Sequence, residues 1–133
     1  MQRMMLCVIT AALAAAAPYA SAQDKPCPGP YKAETWTNCS GETTLKDGAK
    51  YTGTFKDGKR DGKGVTVQTN GRKYEGDYKN DKRHGKGTRT FPAGNKFVGD
   101  YVDDKRTGQG TEYRANGSVL RTGRWQEGEY QGK

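Results

Sequence analysis

Tyr74–Gly87 reads YEGDYKNDKRHGKG, and two further stretches repeat it: Tyr51–Gly64, YTGTFKDGKRDGKG, and Phe97–Gly110, FVGDYVDDKRTGQG. The copies start 23 residues apart and share one order: aromatic-x-Gly-x-aromatic, a charged turn carrying Lys-Arg, then Gly-x-Gly. A fixed period of this length marks a stack of supersecondary units, each unable to bury its own apolar face alone.

The links between copies carry a second signal at the same period, in Asp47-Gly48, Asn70-Gly71, Ala93-Gly94 and Asn116-Gly117. Asn-Gly and Asp-Gly favour two-residue type I′ hairpin turns, in which both central residues need positive φ. Alternating runs flank them, so the segments read as antiparallel strands. A two-residue turn at Asn70-Gly71 sets the register, with Val67 opposite Tyr74, Val65 opposite Gly76 and Lys63 opposite Tyr78. The next copy then pairs Thr90 with Phe97 and Thr88 with Gly99. Val65, Val67, Tyr74, Gly76 and Tyr78 would share the apolar face, with Thr66, Gln68, Glu75 and Asp77 on the other.

Gly53, Gly76 and Gly99 stand between paired aromatics, where glycine weakens a strand unless something approaches the bare backbone. A ring from a neighbouring strand lying over that backbone is such a reason. The pairs Tyr51/Phe55, Tyr74/Tyr78 and Phe97/Tyr101 are therefore expected to form a ladder of rings. Gly62 and Gly64, Gly85 and Gly87, and Gly108 and Gly110 are assigned to the turn and the start of the return strand. After the third copy Gly123 and Trp125 arrive 24 residues on, so a bulge or three-residue loop around Ala115–Leu120 must restore the register. Trp36 and Trp125, at the ends of the ladder, are expected to be the exposed rings.

This pattern resembles the MORN (membrane occupation and recognition nexus) repeat. The resemblance implies an all-β fold: an elongated, twisted, single-layer antiparallel sheet of consecutive hairpins, two strands per repeat. The organisation expected is a signal peptide at 1–22, a disulfide-stapled cap at 23–40, and a repeat array at 41–133. Within the array lie a partial copy at 41–50, full copies at 51–73, 74–96 and 97–119, and a truncated copy at 120–133. Asp81 and Asp104 depart from the glycine seen at Gly58 and Gly128.

The first 22 residues carry Arg3, a short Ala-rich apolar run from Leu6 to Ala17, and Ala20-Ser21-Ala22. That is the order of a cleavable export signal, with cleavage before Gln23. Export to a bacterial periplasm or beyond is the expectation. From Gln23 onward Leu, Val and Phe number only ten and Ile is absent, while the full chain carries a net charge of +8. Composition alone would suggest disorder, and the strict periodicity overrules it. Two cysteines remain after cleavage, Cys27 and Cys39, and in an oxidising compartment they most simply pair.

Lys59-Arg60, Lys82-Arg83 and Lys105-Arg106 recur in the charged turn and would form a basic rim along one edge, with Lys50, Lys73 and Lys96 at the other. Such a rim could attract lipid headgroups or acidic polymers, or could serve only to keep edges soluble. Asp57, Asp61, Asp81, Asp103 and Asp104 offset part of its charge. His84 stands where Asp61 and Thr107 stand in the other copies and is read as a solvated turn residue. No nucleophile has a plausible base partner, and Asp57–Gly62 lacks calcium-loop spacing. The reading is a non-enzymatic interaction or scaffolding module of the cell envelope, with no cofactor and a protein partner. Anionic lipid or polymer binding is the alternative, a hydrolase the least favoured class. Nucleic acid is a poor match for an exported chain, and free strand edges would allow homodimers.

Overall fold

The computed structural model describes residues 25–133. The export signal expected at 1–22 lies outside them. Ten strands form one sheet in chain order: β1 (Lys25–Pro26), β2 (Cys39–Thr44), β3 (Lys50–Lys56), β4 (Lys59–Val67), β5 (Lys73–Lys79), β6 (Lys82–Thr90), β7 (Lys96–Val102), β8 (Lys105–Tyr113), β9 (Val119–Gln126) and β10 (Glu129–Gly132). All neighbours run antiparallel except β1 and β2. The protein is all-β, an open sheet of consecutive hairpins.

The register differs by one residue from the sequence expectation. Thr66, not Val67, faces Tyr74, Gly64 faces Gly76, and Gly62 faces Tyr78. Likewise Arg89 faces Phe97 and Gly87 faces Gly99. The cause is the turn. Gln68 N–H donates to Arg72 C=O and Gly71 N–H to Gln68 C=O, which makes Thr69-Asn70-Gly71 a three-residue loop. Only Gly71 of the Asn-Gly pair has positive φ, 88°. Asn70 instead turns its side-chain oxygen to the Arg72 N–H at 3.0 Å, as Asp47 does for Ala49 and Asn116 for Ser118. This is the type I turn with a glycine bulge rather than the type I′ turn. Thr66 therefore joins the ring face, and Val65 and Val67 move to the opposite, open face; Val67 is 43% exposed.

Two-residue turns with both φ positive occur at the other edge instead. They are Asp57-Gly58, Asn80-Asp81, Asp103-Asp104 and Glu127-Gly128. Lys56 consequently pairs with Lys59, and Lys79 with Lys82. Lys59-Arg60 and its equivalents begin the return strands rather than sitting in the turns.

The shifted register aligns eight glycines across the sheet, with Gly41, Gly53, Gly64, Gly76, Gly87, Gly99, Gly110 and Gly123 paired in sequence. The rings lie chiefly over the second glycines of Gly-x-Gly, which sit in the return strands and not in the turn, while the ring tips also reach Gly53, Gly76 and Gly99. A β-carbon at Gly64 would stand 2.6 Å from Tyr51 Cζ, and one at Gly87 2.6 Å from Tyr74 Cζ. Phe97 lies over Gly110 in the same way. Gly62, with φ 86°, belongs to the bulge that sets Thr54 opposite three residues of β4.

On this floor the rings run as one continuous series, edge-to-face from Trp36 through Phe55, Tyr51, Tyr78, Tyr74, Tyr101 and Phe97 to Trp125 and tilted from there to Tyr130, with neighbouring centroids 4.9 to 5.7 Å apart. Trp36 and Trp125 are each 3% exposed, contrary to the expectation for the end rings. Trp36 is covered by Tyr31 and donates its indole N–H to Pro28 C=O, and Trp125 is covered by Tyr130 and donates to Gly110 C=O. A disulfide joins Cys27 to Cys39, and Cys27 N–H bonds Ser40 C=O, fixing the segment that carries Tyr31 and Trp36. The register is restored after the third copy by one extra residue between Glu112↔Arg121 and Tyr113↔Val119.

Replacing Gly76 with Val should be strongly destabilising. Its β-carbon would meet the Lys86 carbonyl oxygen and, at 2.6 Å, Gly87 Cα, and this backbone cannot retreat without parting two strands. A loss of about 1–3 kcal/mol is expected in denaturant unfolding; an unchanged midpoint would contradict the glycine row.

Candidate surface for recognition

Each repeat arginine is folded down onto the rings. The Arg60 guanidinium carbon lies 5.0 Å from the Tyr78 centroid and 5.9 Å from that of Tyr51. Arg83 lies over Tyr101 and Tyr74 at 5.3 and 5.8 Å, and Arg106 over Trp125 and Phe97 at 4.4 and 5.2 Å. The guanidinium plane covers ring faces that a single-layer sheet would otherwise leave wet.

The same arginines tie each repeat to the next. Arg60 donates its backbone N–H and Nε to Asp81 Oδ1 and a terminal N–H to Asp81 C=O, and Asp81 N–H returns a bond to Arg60 C=O. Arg83 and Asp104 repeat all four contacts. At the rear Gly128 supplies only backbone groups, and Arg106 takes Glu112 as its carboxylate, which also binds Arg121. At the front Tyr31 Oη donates to Gly58 C=O, standing in for an arginine. Asp81 and Asp104, which break the glycine pattern, are thus the acceptors of this clamp.

The six residues of the expected basic rim therefore separate. Arg60, Arg83 and Arg106 are structural, their side chains only 21–27% exposed. Lys59, Lys82 and Lys105 remain exposed. Lys105 is paired with Glu127 at 2.7 Å, while Lys59 and Lys82 carry no ion pair among the described residues. His84 is not a solvated turn residue: it lies half-buried in β6, and its Nδ1 is buried without a hydrogen-bond partner. In the neighbouring copies Asp61 and Thr107 use the same position to accept the N–H of Asn80 and of Glu127.

Three of the four repeat tyrosine hydroxyls are occupied inside the fold. Tyr51 donates to Thr54 C=O and Tyr74 to Asp77 C=O, at 2.8 and 2.9 Å, and Tyr78 meets Thr66 Oγ1. Burial, above all other causes, pushes Tyr51, Tyr74, Tyr78 and Tyr101 above the ordinary tyrosine value. None is poised to act as an acid or base near neutrality. Among the described residues no group of three or more His, Cys, Asp or Glu could hold a metal ion.

Arg83→Gln should lose about 1–2 kcal/mol in denaturant unfolding, because ring cover and the Asp104 clamp go together. Lys82→Gln should stay within about 0.5 kcal/mol of the parent; equal costs would contradict the division of the rim. For the four raised tyrosines the native state holds the proton more tightly than the unfolded chain. The stability this gives is complete below the unfolded value of about 10 and drains away as pH rises beyond it. Unfolding midpoints should fall steeply above about pH 10, with the tyrosinate absorbance of these four emerging together with unfolding; ionisation within a still-folded chain would contradict their burial.

Comparison of the chain with protein families matches the MORN repeat at residues 51–71, 74–96 and 97–119. Comparison with curated proteins gives no significant match. MORN repeats are generally interaction and binding modules. The matched segments are the three copies whose rings, glycine row and arginine clamps are described above, and the chain belongs to the MORN repeat family.

Proposed function

We propose that the chain is a non-enzymatic interaction and scaffolding module of the bacterial cell envelope, engaging a protein partner through its folded surface. The observation that carries this is the use already made of its reactive side chains. The repeated tyrosines are buried, and the repeated arginines and aspartates bind one another between copies. What remains accessible is surface: two long sheet faces on a rigid array of repeats. The envelope setting rests on the export signal expected at 1–22 and is supported by the Cys27–Cys39 disulfide, which suits an oxidising compartment.

A second reading, binding of anionic lipid or an acidic envelope polymer along the rim, is favoured by Lys59 and Lys82, which carry no ion pair among the described residues. Each faces another lysine across its hairpin, Lys56 and Lys79. Charge of this kind acts over a Debye length and is screened by salt.

Affinity capture from an envelope extract, with the chain unfolded by heat and reduction as control, tests the first reading. It expects a stoichiometric protein retained by the folded chain alone at about 0.3 M salt. Absence of any such protein, with salt-sensitive binding to phosphatidylglycerol vesicles that Lys59→Glu/Lys82→Glu abolishes, would overturn it in favour of the second.

A further inference from the structure

One position on the ring face changes character from copy to copy. Thr66, Arg89 and Glu112 occupy the same point of β4, β6 and β8, opposite Tyr74, Phe97 and Arg121. Thr66 closes the Tyr78 hydroxyl, and Glu112 binds Arg106 and Arg121. Arg89 does neither. It has no carboxylate partner among the described residues, and Tyr101 Oη, where Tyr78 would meet its threonine, is buried without a hydrogen-bond partner. The fold accepts Thr at this point, so the arginine is not a requirement of the sheet.

Arg89 is not alone. Its guanidinium carbon lies 5.2 Å from the Phe91 centroid, and that of Arg72 lies 5.8 Å from the same ring. Arg72 likewise has no ion pair among the described residues. Between them opens a cleft of about 220 Å³ whose wall includes Arg60, Arg72, Arg83, Arg89, Thr66 and Tyr78. Its carboxylates are committed elsewhere: Asp104 clamps Arg83, and Asp47 accepts the Ala49 N–H within its own turn. Two guanidinium forks are thus left over on one side of the sheet, Arg89 half-buried and Arg72 exposed at the mouth.

We propose that this cleft binds the phosphate group of a soluble ligand, held between Arg72 and Arg89. Two forks can each make paired N–H···O bonds, and a phosphate offers enough oxygens for both where a single carboxylate does not. Phe91 stiffens both arginines by stacking, which reduces the freedom lost on binding. Burial, then the positive neighbours Arg83, Arg72 and Arg106, lowers the Arg89 guanidinium from its ordinary value, so an anion entering the cleft relieves an existing repulsion. Lys59 and Lys82 do not line the cleft, and the site does not depend on the envelope reading.

Calorimetric titration of the folded chain with inorganic phosphate and with glycerol phosphate, at constant ionic strength, tests this. Saturable binding of both is expected, with chloride ineffective. Arg89→Thr should weaken it by roughly tenfold or more while keeping the fold, since threonine here reproduces the Thr66–Tyr78 pair. Arg72→Gln should weaken it similarly, and Lys59→Gln/Lys82→Gln should leave it unchanged. Any one of three results would overturn the proposal: no saturable response in the parent, parent-like affinity in both arginine variants, or binding to phosphatidylglycerol vesicles without binding of either free phosphate compound.

Discussion

The closeness of ring to backbone is the constraint on which the rest of this protein depends. A single-layer sheet has no second layer to bury its apolar face, and this one carries few aliphatic side chains. Tyr51, Tyr74 and Phe97 are nevertheless 4% exposed or less. They achieve this by lying down over Gly64, Gly87 and Gly110, whose missing β-carbons leave room that any other residue would fill. Burying aromatic area is worth as much here as in a conventional core, because the free energy follows area removed from water and not the thickness of the fold. Glycine is a poor strand residue in isolation, and the packed ring is what offsets that weakness.

A floor of glycine accounts for one face of the rings, and arginine accounts for the other. Each guanidinium spans a ring pair and then reaches the turn of the next copy, so cover and coupling are one interaction. Stability in such an array is close to a sum of repeat and nearest-neighbour contributions. The ends must then be treated separately. Tyr31 and the disulfide-fixed segment supply the front neighbour, while Glu112, Arg121 and Tyr130 complete the rear one. The Asp81 and Asp104 departures from glycine mark where a carboxylate is needed to hold an arginine in place.

The period, the strand class and the ring ladder were legible in the sequence because aromatic and glycine spacing states them directly. The register was not. Asn70-Gly71 looks like a two-residue turn, but an Asn side chain can instead accept the N–H two residues on, leaving only the glycine at positive φ. The true two-residue turns were hidden because Asn80-Asp81 and Asp103-Asp104 hold two adjacent left-handed residues without a glycine. One residue of slip exchanges Thr66 for Val67 on the ring face and conceals the glycine row. It also hides what the arginines do. Arg60 and Arg83 look like rim charges until the register turns them onto Tyr78 and Tyr101. Arg89 is visible as the odd residue at its position only once Thr66 and Glu112 are known to share it.

A double-mutant cycle between Tyr74 and Gly87 tests the ring-on-glycine account most directly. Leucine at position 74 keeps an apolar side chain but lacks the Cε2, Cζ and Oη atoms that lie over Gly87. The account predicts that Gly87→Ala is costly in the parent and largely tolerated beside Tyr74→Leu, with a coupling energy above about 1 kcal/mol. Costs that simply add, within about 0.5 kcal/mol, would show that the ring does not depend on the glycine.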